Sequence, residues 1–411
     1  MAASGAVVDS DTLTPLPLTA GQVALVLVAL AMGGFAIGVT EFAAMSVLPD
    51  FAAGLGVDAP TAGHVISAYA AGVVVGAPIL AVLGARLPRW VLLIVFMALF
   101  AIGNGLSALA PTYGWMLAFR FLSGLPHGAY FGVAALVAAS VVPLHLRTRA
   151  VSTILMGLTI GTVLGVPVVN VISHAHGWRW TFAIVAALAV ATMALVALFA
   201  PRDPAHPDAS PLRELGALKR GQVWLTLGVG AVGFGGMFAV YAYLASTLQA
   251  VTGVGSEVMP WIFAVFGVGM FLGNLLGAWA ADHVGFKAAG GLLLWSAAAL
   301  ALYPLAASNL WAVLSVVLLI GGGGGLGSVL QTRLMDVAGD AQTLAAALNH
   351  SAFNTANAIG PLLGGMAIAA GYGWTSTAWV GVGLSLGGFA IFLIAWLTGR
   401  RAATAEPSVA T

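Results

Sequence analysis

A chain of 411 residues with 14 Lys and Arg and 13 Asp and Glu is only 7% charged, where a soluble domain carries roughly 25%. With 61% hydrophobic residues it cannot clothe a water-exposed globule, and it reads as a multi-span membrane protein. A formal net charge of +1 without any basic run excludes nucleic acid as a partner, and the absence of cysteine excludes disulfides, thiolate metal sites and cysteine nucleophiles together.

Residues 1–21 hold Asp9, Asp11, Pro15 and Pro17 but no Lys or Arg, so the positively charged start of a secretory signal is missing and a cytoplasmic tail is expected. Apolar segments then follow at about 22–49, 60–84, 90–110, 113–141, 149–173 and 179–200, each long enough for the ~20 residues that cross ~30 Å of hydrocarbon. Residues 201–221, with four prolines and a cluster of charges, read as a linker. Six more segments lie at about 222–249, 259–281, 287–307, 310–332, 342–370 and 375–398, before a tail at 399–411. The expected fold is all-α: twelve transmembrane helices in two six-helix bundles, 22–200 and 222–398. Barrel strands would alternate polar and apolar residues, and these runs are apolar on every face.

With both termini inside, twelve of the fourteen cations fall on the cytoplasmic side, among them Arg86, Arg89, Arg147, Arg149, Lys219, Arg220, Lys287 and Arg333. Arg179 alone lies outside and Arg120 lies within the fourth span, which is the positive-inside distribution. The two halves are also related. Of the fifteen glycines from Gly33 to Gly132, seven have a glycine 197 positions later, against about two expected by chance at this glycine frequency. Parallel six-helix repeats place a binding site near the bilayer midplane between them, the architecture of a carrier.

Several short runs carry a more specific likeness. They are the paired loops Gly84-Ala85-Arg86-Leu87-Pro88-Arg89 and Asp282-His283-Val284-Gly285-Phe286-Lys287, then Arg120-Phe121-Leu122-Ser123-Gly124, and Gly157, Gly161 and Gly165 ahead of Val166-Pro167. Thr40-Glu41-Phe42, Pro126-His127-Gly128 and Gly177-Trp178-Arg179-Trp180 complete the set. Together they resemble the major facilitator superfamily, and within it the twelve-helix drug:proton antiporters of the chloramphenicol-resistance and arabinose-efflux branch. The first loop departs from the family pattern by carrying Ala85 and Pro88 where Asp and Gly are usual. The resemblance implies gating loops at Arg86, Arg89, Asp282, Gly285 and Lys287, and an antiporter helix built on Gly157, Gly161, Gly165 and Pro167. The same residues also have plainer readings: loop charges set topology, and a glycine stripe lets helices approach.

Ionisable groups inside the spans are the sharper signal, because an intramembrane charge costs at least a few kcal/mol unless paired or hydrated. They are Glu41, Arg120, His127 and His350. Glu41 on an outward-running helix and Arg120 on an inward-running one both sit about 10 to 12 Å from the outer end, so they share a depth and an ion pair is expected. His127 follows Arg120 by two helical turns on nearly the same face. Glu41, Arg120 and His127 form the expected proton-coupling set. By the 197-residue shift Phe238 takes the place of Glu41, with Phe234 and Tyr241 beside it. An acidic wall of Glu41, Met45, His127 and Tyr130 thus faces an aromatic one, and Asn354 and Asn357 add polar anchors, a cavity suited to an amphipathic organic compound.

A phosphate-binding Gly-x4-Gly-Lys-Ser/Thr loop is absent and no soluble segment is long enough for a catalytic domain, so neither an enzyme nor an ATP-driven pump is expected, and no cofactor or metal. The residues and the resemblance lead to a secondary active exporter in the bacterial plasma membrane, exchanging protons for a small amphipathic compound of phenicol type and functional as a monomer. Export of a sugar, nucleoside or other metabolite is the alternative in the same fold, and a non-transporting receptor or scaffold the alternative of another class.

Overall fold

A computed structural model describes residues 18–84, 86–143, 146–204, 218–338 and 342–405, and those residues form helices joined by short turns, with no strand among them. In chain order the long helices are Ala20–Ser46, Ala59–Gly84, Arg89–Ala108, Tyr113–Ser140, Ala150–His176 and Arg179–Phe199 in the first half. Gly221–Ala242, Met259–Val284, Lys287–Ala306, Leu310–Ala338, Gln342–Ala367 and Ser376–Ala405 form the second. They are numbered one to twelve below. Eleven are long and apolar enough to cross a membrane. Helix eleven has the length, at 26 residues, but Asn349, His350, Asn354 and Asn357 lower its hydropathy. Such a face is tolerated in a membrane only where other helices cover it.

Several boundaries differ from expectation, helix seven ending at Ala242 and helix ten running to Ala338 among them. The first span ends at Ser46, and a separate short helix, Leu48–Leu55, starts with Pro49 in its first turn, where a missing N–H costs nothing. Helix twelve continues through Arg400 and Arg401 to Ala405 rather than stopping at 398. Thr19 and Gln22 close the start of helix one as a reciprocal capping box. Most of the first tail, the linker residues 205–217, Ala85 and the last six residues lie outside the described residues.

The glycine repeat becomes a repeat of helix crossings. Helix two meets helix four where Gly72 faces the Phe121 carbonyl and Gly124 faces the Tyr69 carbonyl. Helix eight meets helix ten where Gly269 faces the Leu318 carbonyl and Gly321 faces the Phe266 carbonyl. All four residues of the first crossing map onto the second by 197 positions. A missing Cβ is what lets backbones touch at this spacing. Gly56 and Gly253, another pair related by 197, both turn the chain in the left-handed region, at φ +69° and +70°. Gly124→Val and Gly321→Val are therefore expected to destabilise the two halves alike, by about 1–3 kcal/mol of overpacking, read as a lower midpoint of thermal unfolding in detergent.

Among the described residues the halves meet along several seams. Helix two runs against helix eleven, where the Ser67 hydroxyl donates to the Ala358 carbonyl at 2.8 Å. Helix five packs on helix eight, and the proximal part of helix four touches helix eleven. Proximal here means the face at which helix one starts and helix twelve ends. On the distal face Tyr243, just past helix seven, lies against Gly63 of helix two and Gly365 of helix eleven and donates to the Pro361 carbonyl at 2.9 Å, closing the seam there.

Candidate functional site

Helix one presents Thr40 and Glu41 in succession, and successive residues on an α-helix point about 100° apart. That rotation separates the two expected partners. Thr40 turns into the first half, where its hydroxyl donates to the Asn104 side chain of helix three at 2.7 Å. Arg120 donates to Thr40 at 3.2 Å and to Asn104 at 3.3 Å, and its guanidinium lies over the rings of Tyr69, at 4.3 Å, and Phe182, at 5.2 Å. Glu41 turns the other way and accepts from Asn357 Nδ2 of helix eleven at 3.0 Å.

The ion pair expected from shared depth is thus absent. Arg120 is 1% exposed and Glu41 2%, so each burial is offset by its own neighbours: hydroxyl, amide and aromatic faces for the guanidinium, one amide for the carboxylate. Arg120 faces the core of the first bundle, and Glu41 faces the space between bundles. Arg120→Ala removes the common partner of Thr40, Asn104 and the Tyr69 ring. It is expected to slow transport by at least about tenfold while membrane insertion persists, measured as initial uptake into inverted vesicles.

Helix four breaks at Leu125–Pro126, since proline supplies no N–H, and His127 opens its second segment. The His127 Nδ1 lies 2.9 Å from the Tyr69 hydroxyl, and its ring sits 6.1 Å from that of His350 across the seam. Phe131 stacks on His350 with centroids 4.7 Å apart and planes within 6°. Histidines from both halves therefore meet on the proximal side of Glu41. Tyr130 behaves differently from its assignment to the cavity. Its hydroxyl donates to the Leu30 carbonyl at 2.9 Å and its ring covers Gly33, so it holds helix four to helix one. Met45 is buried near the distal end of helix one.

The aromatic wall faces helix one across the midline. Phe42 lies 6.2 Å from Phe238 and 5.3 Å from Tyr241, ring to ring. Phe353 of helix eleven packs edge-on against Phe234 at 5.0 Å and Phe238 at 4.8 Å. Asn354 is buried and donates to the His350 carbonyl one turn back.

Helix five lays its glycines on helix one. Gly157 faces the Ala31 carbonyl, a Cβ on Gly161 would stand 2.7 Å from the Phe35 carbonyl, and Gly165 lies under Val39. Its backbone widens into a five-residue π-turn at Gly161–Gly165, followed in the next turn by Pro167. On the opposite side Gly267 of helix eight would put a Cβ 2.9 Å from Val163 Cα. The wide turn is thus held between helix one of its own half and helix eight of the other.

At the loops, Arg86, Asp282 and Lys287 are exposed. Gly285 sits at φ +63°, ψ −147°, a conformation open essentially to glycine alone. Arg89 and Trp90 donate their backbone N–H groups to the Asp203 carboxylate at 3.0 and 3.3 Å. An acid from beyond helix six thereby caps the start of helix three. Among the described residues no three His, Cys, Asp or Glu side chains group as a metal site.

Tyr69, Asn104, Phe353 and Gly267 are parts of this arrangement that sequence reading passed over. Asn104 carried the same signal as Glu41, a polar residue in an apolar run. The others carried none beyond being aromatic or small.

The sequence profile of the Major Facilitator Superfamily matches residues 30–288 and 225–410. The inner membrane transport protein YdhP of Escherichia coli strain K12 is 39% identical over 369 residues, which span 90% of this chain and 94% of that one. A chloramphenicol resistance protein of Streptomyces lividans is 34% identical over 342 residues, spanning 81% and 86%. Among solved structures, a bacterial homolog of the human lysosomal transporter Spinster superposes with a TM-score of 0.71 at 18% identity, covering 92% of this chain and 98% of that one.

Proposed function

Because the chain belongs to the major facilitator superfamily, and is a multi-pass membrane transporter rather than an enzyme, we propose that it exports a small amphipathic compound in exchange for protons by alternating access. The observation that carries this reading is Glu41. It is the one buried carboxylate among the described residues, and it is bonded across the bundle seam to Asn357. A proton gained or lost there changes a contact between the two halves, which is what coupling requires. The carboxylate, the His127 and His350 rings beyond it and the aromatic wall line one seam. That combination suits an amphipathic body with a few polar anchors.

A phenicol-like drug is the substrate favoured, supported by the resistance protein of Streptomyces lividans at 34% identity. The topology proposed with it has both termini cytoplasmic in a bacterial inner membrane, the monomer being the working unit. Export of a hydroxylated metabolite is the second reading, favoured by the amide-bearing face of helix eleven.

Expression in a drug-sensitive host with chloramphenicol in the medium, together with chloramphenicol-driven proton flux in proteoliposomes, tests the reading. Raised tolerance with flux supports it. Flux driven only by sugars or nucleosides moves the function to the second reading, and no flux with either class overturns proton-coupled export.

A further inference from the structure

At the seam between bundles the hydrogen-bonding groups are unbalanced. Asn357 spends an amide N–H on Glu41 Oε1, and Asn354 spends one on the His350 carbonyl. Three oxygens, Glu41 Oε2, Asn354 Oδ1 and Asn357 Oδ1, have no partner in the protein, although all three residues are buried. Asn354 and Asn357 are three residues apart on helix eleven and so share a face, and Asn357 fixes Glu41 against it. The Ser351 hydroxyl, three residues before Asn354 on the same helix, and Arg120 Nε are buried donors without a protein partner as well. Arg120, the buried cation, spends its Nη1 hydrogens on Thr40 and Asn104 rather than on the carboxylate. Glu41, Asn354 and Asn357 thus set three unpartnered oxygens against the one further N–H that each amide keeps, an excess of acceptors carried by the carboxylate, and buried acceptors are stable only when something donates to them.

We propose that the exported compound is recognised as a hydrogen-bond donor, its hydroxyl, amide or ammonium hydrogens directed at Glu41, Asn354 and Asn357 and its apolar body laid on Phe42 and Phe238. This deepens the exporter reading and rests on it. Anions and compounds that only accept hydrogen bonds are disfavoured, since they leave Glu41 Oε2 unmet. A proton on Glu41 turns one acceptor into a donor, so proton and ligand compete for the same carboxylate. The titratable or charged groups that interact with Glu41 are Arg120 of helix four and Tyr69 of helix two.

The test uses the purified full-length chain in detergent and two pairs of probes. Chloramphenicol, an aryl body with two hydroxyls and an amide, is compared with its di-O-acetyl derivative. 2-Phenylethylammonium is compared with its N,N,N-trimethyl analogue, which keeps the charge and loses every N–H. Dissociation constants are measured calorimetrically for the wild type, Asn354→Leu and Asn357→Leu.

The donor-bearing member of at least one pair is expected to bind at least about tenfold more tightly, with that ratio shrinking toward one in both variants. The pair that shows it separates a neutral donor from a cationic one. Equal affinity within both pairs, absence of binding by all four probes, or a ratio untouched by either variant overturns the proposal. If a variant fails to fold, the wild-type ratios decide by themselves. Failure of the exporter reading shows differently, as donor preference without any proton released on binding.

Discussion

Glu41→Gln is expected to abolish uphill export, leaving less than about 1% of the wild-type rate, while substrate still binds in weakened form. The replacement keeps the side-chain shape, and its carbonyl oxygen can still accept from Asn357 Nδ2, the bond that ties helix one to helix eleven at 3.0 Å. What it removes is titration and one acceptor. No other described acid can stand in. Asp58 and Glu257 are exposed on the distal face, Asp282 and Asp336 are exposed on the proximal one, Asp203 caps helix three, and Asp50 is paired with His174 at 3.2 Å outside the first span. The measurement is accumulation of chloramphenicol against its gradient in energised inverted vesicles, with thermal midpoints recorded to show that the variant folds. Wild-type accumulation in Glu41→Gln would move the coupling role to His127, whose Nε2 is buried without a partner.

Gly161→Leu is the second large effect expected: insertion into the membrane persists, and transport falls to background. A Cβ at Gly161 would stand 2.7 Å from the Phe35 carbonyl and 3.3 Å from the Val39 amide nitrogen. Both are backbone atoms of helix one, which cannot swing aside as a side chain would. The cost is therefore a forced separation of helices one and five at the level of the wide turn, about 1–3 kcal/mol of overpacking. Because helix eight rests on the same turn through Gly267 and Val163, the displacement is passed to the other half. Gly267→Leu should reproduce the defect from that side. Surface biotinylation of a single introduced cysteine reports insertion cleanly, since the chain has no cysteine of its own, and retained export in Gly161→Leu would leave the stripe a packing feature alone.

The spans were legible because their signal is collective: about twenty apolar residues leave little choice in a bilayer, and the 197-residue glycine repeat already contained the paired crossings of helices two with four and eight with ten. The aromatic wall was legible by the same shift, which carried Glu41 onto Phe238. Depth along a helix could be counted, but azimuth could not. Glu41 and Arg120 share a depth, yet Thr40, one residue earlier, points at Arg120 and takes the place the carboxylate was given. The three-residue step from His127 to Tyr130 likewise turns the tyrosine onto helix one. Asp203 lies 114 residues beyond Arg89, the backbone it caps, a separation at which sequence spacing carries no information. Polar neutral residues were undervalued beside charged ones, and so Asn104, the hub that joins Thr40 to Arg120, went unseen.

Coupling at Glu41 is tested most directly by adding chloramphenicol to detergent-purified protein in weakly buffered solution and reading the protons released with a pH dye. The wild type is expected to release protons in step with binding, and Glu41→Gln to bind the compound and release none. Release of the same size from Glu41→Gln, at equal occupancy, would contradict a coupling carboxylate at this position.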